Sequence, residues 1–207
     1  MERCPLCGPA ERQQWLDALS RLSPEMRTWR LDGFRDRGRL KEVIKAIQQV
    51  VSIGHGWLTL SGPPGTGKTY LMAAITNEAI AAEMPSVYTT IADLLDDLRR
   101  SFSPDSGVGF STLFTAVLDA RCLCIDELEK FNTTPWAEEK FYQLVDHRYR
   151  EWRDKLTIFA TNRRIGLDKS IIHDTRYPGY LESRIMDGRF WQCDQFWQVS
   201  DARPVLK

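Results

Sequence analysis

Nine consecutive residues, Ser61-Gly62-Pro63-Pro64-Gly65-Thr66-Gly67-Lys68-Thr69, satisfy the phosphate-binding pattern GxxxxGK[ST] in full. Glycines in such a loop let backbone N–H groups approach phosphate oxygens without side-chain obstruction. The loop follows the apolar run Trp57–Leu60 and opens a segment of helical period from Lys68, so bound phosphates would also meet the partial positive charge of a helix N-terminus. Lys68 is then placed to reach the β- and γ-phosphates, and the Thr69 hydroxyl to ligate Mg²⁺. The expected nucleotide-binding residues are Gly62, Pro63, Pro64, Gly65, Thr66, Gly67, Lys68, Thr69 and Asp126.

Asp126 and Glu127 end the apolar run Leu123-Cys124-Ile125. In a parallel sheet that run would finish beside the phosphate loop. Asp126 could then hold Mg²⁺ through water, and Glu127 could polarise an attacking water. A small-molecule kinase has no use for the second acid, so the pair favours hydrolysis. Thr161-Asn162 ends a third apolar run, LTIFA, where an amide can hydrogen-bond the attacking water or the γ-phosphate. The bland alternatives are loop-capping carboxylates and a turn asparagine.

These residues need a scaffold of alternating strands and helices. Strands are expected at 57–60, 87–90, 123–125 and 156–160, with a final one around 191–193. Helices are expected at 11–22, 40–51, 68–82, 91–102, 113–118 and 135–152, separated by a flexible loop at 103–109. The clearest stripe is Leu40, Val43, Ile44, Ile47, Val50 and Val51. The alternation predicts an α/β fold: a three-layer αβα core around a five-stranded parallel sheet. Residues 1–35 read as a short N-terminal segment with linker and 36–207 as the ATPase domain. Trp29, Leu31 and Phe34 of the linker either pack on that domain or cover a nucleotide base.

Composition bounds the partners. With 28 Lys plus Arg against 28 Asp plus Glu in 207 residues, no global basic field points to nucleic acid, and any such contact requires a local patch. No apolar run is long enough for a bilayer, and the start MERCPLCG lacks a signal-peptide core. The expected location is cytoplasmic, without membrane contact. Cys122 and Cys124 read as core residues and Cys193 as inert. Cys4 and Cys7 form one knuckle of a zinc ribbon, but zinc takes four ligands and no second CxxC exists. A remnant knuckle without zinc, a site completed by another chain and a redox pair remain open.

The order GPPGTGKT, LCIDELEK, IFATN, YLESRIMDGRF resembles the AAA+ ATPases. Together with FRDRGRLKEVIKAIQQVV and TTIADLLDDLRRSF it is similar to the DnaC- and DnaI-type helicase loaders and the IstB-like transposition ATPases, over roughly residues 30–203. The chain also stops soon after its last strand, like relatives with a reduced or absent helical lid. The resemblance implies ATP and Mg²⁺ as cofactors, Lys68 and Thr69 as Walker A, Asp126 and Glu127 as Walker B, and Asn162 as sensor 1. It also implies that Arg184 is an arginine finger acting on a neighbouring subunit's nucleotide, with Arg189 the competing candidate. Arg99 and Arg100, followed by Phe102, fall where the family touches single-stranded DNA; a solvated helix end is the plain alternative. Arg163 and Arg164 read as structural or interfacial.

The implied function is an ATP-dependent loader delivering a replicative helicase to single-stranded DNA, working as an ATP-bridged oligomer and encoded by a phage or mobile element. A transposition helper acting on duplex DNA is the near alternative, and a small-metabolite kinase or a non-hydrolysing switch the distant ones. Two departures stand out: an N-terminal region short for a helicase grip, and no evident sensor-2 arginine.

Overall fold

Alternate residues along each strand go to opposite faces of one sheet, and the two faces are both greasy. Trp57, Val87, Leu123, Ile125 and Phe159 enter one apolar cluster; Leu58, Leu60, Tyr88, Cys122, Cys124, Ile158 and Ala160 enter the other. A strand buried on both sides must be covered twice, which is why helices alternate with strands. The computed structural model of the chain describes residues 9–34, 40–164, 179–185, 187, 191–193 and 196.

The elements are α1 (Pro9–Leu19), α2 (Lys41–Ile53), β1 (Gly56–Ser61), α3 (Lys68–Ala81), β2 (Ser86–Thr90), α4 (Ile91–Arg100), α5 (Phe110–Asp119), β3 (Cys122–Asp126), α6 (Pro135–Arg150), β4 (Leu156–Thr161), α7 (Tyr180–Ile185) and β5 (Trp191–Cys193). The strands form one sheet in the order β2-β3-β4-β1-β5, all pairs parallel. Four are full strands; β5 is a three-residue edge. Register pairs Thr90 with Asp126 and Ser61 with Thr161. The strand ends carrying the phosphate loop, the two acids and the asparagine therefore share one edge of the sheet.

Local signals set the helix ends. Thr90 caps α4 by accepting from Asp93 N at 3.1 Å, and Thr134 caps α6 by accepting from Ala137 N at 3.2 Å, with Pro135 in the first turn. Gly54, at φ 74°, stops α2 in the left-handed conformation.

The helix expected at 11–22 starts earlier and stops at Leu19, because the following backbone is needed elsewhere. β2 is an edge strand with unpaired backbone groups. Arg21 N donates to Tyr88 O at 2.8 Å, Ser86 N donates to Gln13 Oε1 at 2.8 Å, and Gln13 Nε2 donates to Ser86 O at 3.0 Å. The N-terminal helix thus covers the exposed edge. Leu16 and Leu19 join the same cluster as α4, α5 and α6. The helix expected at 113–118 is longer, running from Phe110. α7 had no counterpart among the expected elements.

Arg148 is fully buried. Nε donates to Thr157 Oγ1 at 2.7 Å, Nη1 to Ala120 O at 2.8 Å and Leu118 O at 3.2 Å, and Nη2 to Leu156 O at 2.6 Å. One guanidinium ties the end of α5 and the start of β4 to α6, and burial pulls its pKa down to about 10. Among the described residues no helix is long and apolar enough to cross a membrane.

Candidate functional site: a phosphate loop with two acids and an asparagine

At two loop positions, neighbouring side chains also demand glycine. A Cβ on Gly62 would fall 2.3 Å from Phe196 Cβ, and one on Gly67, at φ +97°, would fall 2.6 Å from Cε2 of Phe34. Phe34 belongs to the linker, which is tied down on α3. Asn77 Nδ2 donates to Met26 O at 2.8 Å and Trp29 O at 2.9 Å, and Leu31 N donates to Glu78 Oε1 at 3.1 Å. Trp29 stacks on Tyr70 with ring centroids 4.8 Å apart, and Phe34 lies 5.6 Å from the same ring. The linker aromatics thus sit beside the first turn of the phosphate-loop helix.

Lys68 is buried, and its ammonium donates to Gly62 O at 2.6 Å, Pro63 O at 2.9 Å and Asn162 Oδ1 at 2.9 Å. Those contacts use its three protons. Burial lowers its pKa, opposed by the charges of Asp126 and Glu129.

Asp126 is buried at the end of β3. Its Oδ2 accepts from Thr69 Oγ1 at 2.7 Å and Tyr88 OH at 3.0 Å; its Oδ1 accepts from Glu127 N at 2.8 Å. Burial, then the Asp126 charge, pushes the Tyr88 hydroxyl pKa well up, so the phenol stays a donor. The juxtaposed oxygens of Thr69 and Asp126 are the hard donor type Mg²⁺ takes, and these two residues would hold that ion.

Glu127 sits at φ 57°, in the left-handed region that non-glycine residues seldom occupy. Such strain gathers at functional sites. Its carboxylate accepts from Lys130 Nζ at 2.6 Å, and that pairing, before any other influence, raises the Lys130 pKa. Asn162 donates from its backbone N to Glu129 Oε2 at 3.0 Å and from Nδ2 to Glu129 Oε1 at 2.5 Å.

Of the residues singled out by sequence, Lys68 is hydrogen-bonded to Asn162 and Thr69 to Asp126, with Glu127 adjoining Asp126. Arg184 is placed elsewhere. Its guanidinium lies over the Tyr149 ring at 4.2 Å and the Tyr180 ring at 4.4 Å, and its buried Nε has no hydrogen-bond partner among the described residues. Arg99 pairs with Asp96 at 3.1 Å and lies over the Trp136 ring at 5.1 Å; Arg100 pairs with Asp97 at 2.5 Å. Cys4, Cys7 and Arg189 lie outside the described residues. Cys122, Cys124 and Cys193 are buried free thiols. Sequence reasoning missed Glu129 and Tyr88. Tyr88 was within reach, because its place in a period-two strand, one position out of phase with Val87, puts it on the phosphate-loop helix's face.

The chain is 32% identical to the replicative helicase loader DnaC of Escherichia coli over 113 residues, 54% of this chain and 46% of that protein. It is also 32% identical to DnaC of Buchnera aphidicola (Acyrthosiphon pisum) over 88 residues, 42% of this chain and 36% of that one. It therefore spans less than half the length of these relatives. Its backbone matches a crystal structure of the DnaC helicase loader with TM-score 0.64 at 22% identity, covering 82% of this chain and 98% of that one. It matches a DnaI structure with TM-score 0.65 at 20% identity, covering 93% and 100%. The replication initiator DnaA bound to AMPPCP and single-stranded DNA matches with TM-score 0.68 at 17% identity, covering 84% and 51%. At these identities the structural likeness establishes the fold. The family model of the IstB-like ATP binding protein matches residues 40–195, and the chain belongs to that AAA+ ATP-binding family.

Proposed function

We propose that this chain is an ATPase that works between subunits to load a replicative helicase onto single-stranded DNA. The observation that carries the ATPase reading is two hydrogen-bonded pairs beside one phosphate loop, Lys68 with Asn162 and Thr69 with Asp126. Lys68 would exchange its carbonyl partners for phosphate oxygens, the loop amides would cradle the phosphates, and Thr69 with Asp126 would hold Mg²⁺, which supplies charge neutralisation when bound. Glu127 would take a proton from the attacking water.

The finger assignment of Arg184 rests on its place in the YLESRIMDGRF segment, inside the residues that the family model matches. R184A should then lower turnover only in assemblies. Mixed with K68A, which retains its arginine, it should regain activity because each variant supplies what the other lacks. Turnover of R184A alone equal to wild type at every protein concentration would remove the finger.

The DNA reading rests on a local patch. Phe102 is 56% exposed and stacks on Phe110 with centroids 4.5 Å apart; Lys140 lies over Phe110 at 5.6 Å. With Arg99 and Arg100, which border a cleft of about 540 Å³ against α1, this offers a ring for base stacking among cations. F102A should weaken single-strand binding by about 1–3 kcal/mol, read by fluorescence anisotropy at fixed salt. The transposition-helper reading, which the family match leaves level with helicase loading, predicts tighter binding to duplex. Capture of partners from the native host separates the two roles.

A further inference from the structure

We infer that Glu129 is a positioning residue that locks Asn162 with its oxygen toward the nucleotide side, so that Asn162 acts as a hydrogen-bond acceptor for water rather than a donor to phosphate. The inference rests on reading this site as an ATPase centre.

A carboxylate can only accept and an ammonium can only donate. Asn162 is held between one of each. Glu129 receives both its backbone N–H and its Nδ2, while Lys68 donates to its Oδ1 at 2.9 Å. Turning the amide over would set NH₂ against ammonium and oxygen against carboxylate, so both neighbours enforce one orientation. When Lys68 turns to the phosphates, Oδ1 loses its donor. A phosphate oxygen, itself an acceptor, cannot replace it, but a water O–H can. Asn162 would then hold one proton of the water while Glu127 accepts another. The bond from the backbone N–H of Asn162 holds the Glu129 carboxylate in place, so that its other oxygen stays aimed at Nδ2.

The test is a swap across the pair. E129A should lower kcat roughly ten- to a hundredfold, with affinity for the non-hydrolysed analogue AMPPCP changed less than about threefold. N162D sets two carboxylates face to face and should lower turnover further. E129Q alone keeps one of the two bonds and should lie between. The double variant E129Q/N162D reverses donor and acceptor between the side chains while still accepting the backbone N–H of residue 162. It should regain at least about tenfold over N162D. Contact of the new carboxylate with Lys68 is common to N162D and the double variant, so their ratio isolates the 129–162 pair. The two substitutions E129Q and N162D are nearly isosteric, which keeps the comparison among these three variants meaningful if E129A fails to fold.

A second readout needs no nucleotide. In ¹H–¹⁵N spectra the side-chain NH₂ of Asn162 should be shifted and protected from exchange in wild type, and lose both properties in E129Q. If wild type neither binds nor turns over ATP, the ATPase reading fails while this signal still reports on the grip. Wild-type kcat in E129A, no gain of the double variant over N162D, or an unprotected amide in wild type would each overturn the proposal.

Discussion

Replacing Glu127 with glutamine is expected to leave nucleotide binding intact and to cut turnover by about a hundredfold or more. Glutamine keeps the size of the side chain and its single left-handed backbone position at φ 57°, so the loop should hold its shape. What disappears is the capacity to take up a proton. The phosphate contacts proposed above lie on other residues: the loop amides, Lys68 and Thr69. Lys130, which now pairs with Glu127 at 2.6 Å and is 59% exposed, can return to solvent. Analogue binding by calorimetry and steady-state phosphate release check both halves. Undiminished turnover would remove Glu127 from the chemistry; lost binding would mean that its role is to shape the loop.

R148A is expected to lose about 3–5 kcal/mol of stability, from orphaned acceptors and a cavity. Buried charges are usually matched by a carboxylate, but Arg148 spends its donors on three backbone carbonyls and the Thr157 hydroxyl. Alanine would orphan the Thr157 hydroxyl and the Ala120 and Leu156 carbonyls in a buried setting, at about 1–3 kcal/mol for each left unpaired, with the sum reduced by relaxation; Leu118 O is only partly buried. It would also open a cavity between α6 and the sheet. R148M should recover the packing and not the acceptors, and so fall between alanine and wild type. Urea denaturation reads the shift in midpoint. A midpoint unchanged in R148A would show that water or a shifted backbone satisfies these groups. Loss here would reach function indirectly, since β3 and β4 carry Asp126 and Asn162 at their far ends.

The loop, the strand-end acids and the asparagine were legible because each is announced by its immediate neighbours: an apolar run, then a residue type with one evident use. The parallel sheet followed from the alternation of elements, whereas the strand order β2-β3-β4-β1-β5 did not. The rest depends on pairs distant in sequence. Arg148 reads locally as one more cation at a helix end, and only the fold reveals that it points inward. Glu129 reads as a charged turn residue, although it stands two places after Glu127 in the quoted motif; its value comes from Asn162, thirty-three positions later. Gln13 reads as a solvated helix residue until β2 is seen to need an edge partner. The tyrosine seat of Arg184 could not be read either, because Tyr149 belongs to a helix whose apolar spacing assigns it no particular neighbour.

That seat has a thermodynamic consequence. An arginine carries about 2 kcal/mol of rotamer entropy, normally surrendered when it docks. Confined between Tyr149 and Tyr180, Arg184 has given up much of this freedom within the monomer. If Arg184 serves a neighbouring subunit as proposed, its adjustment there would come from displacement of the short α7 segment and not from a side chain searching for its target.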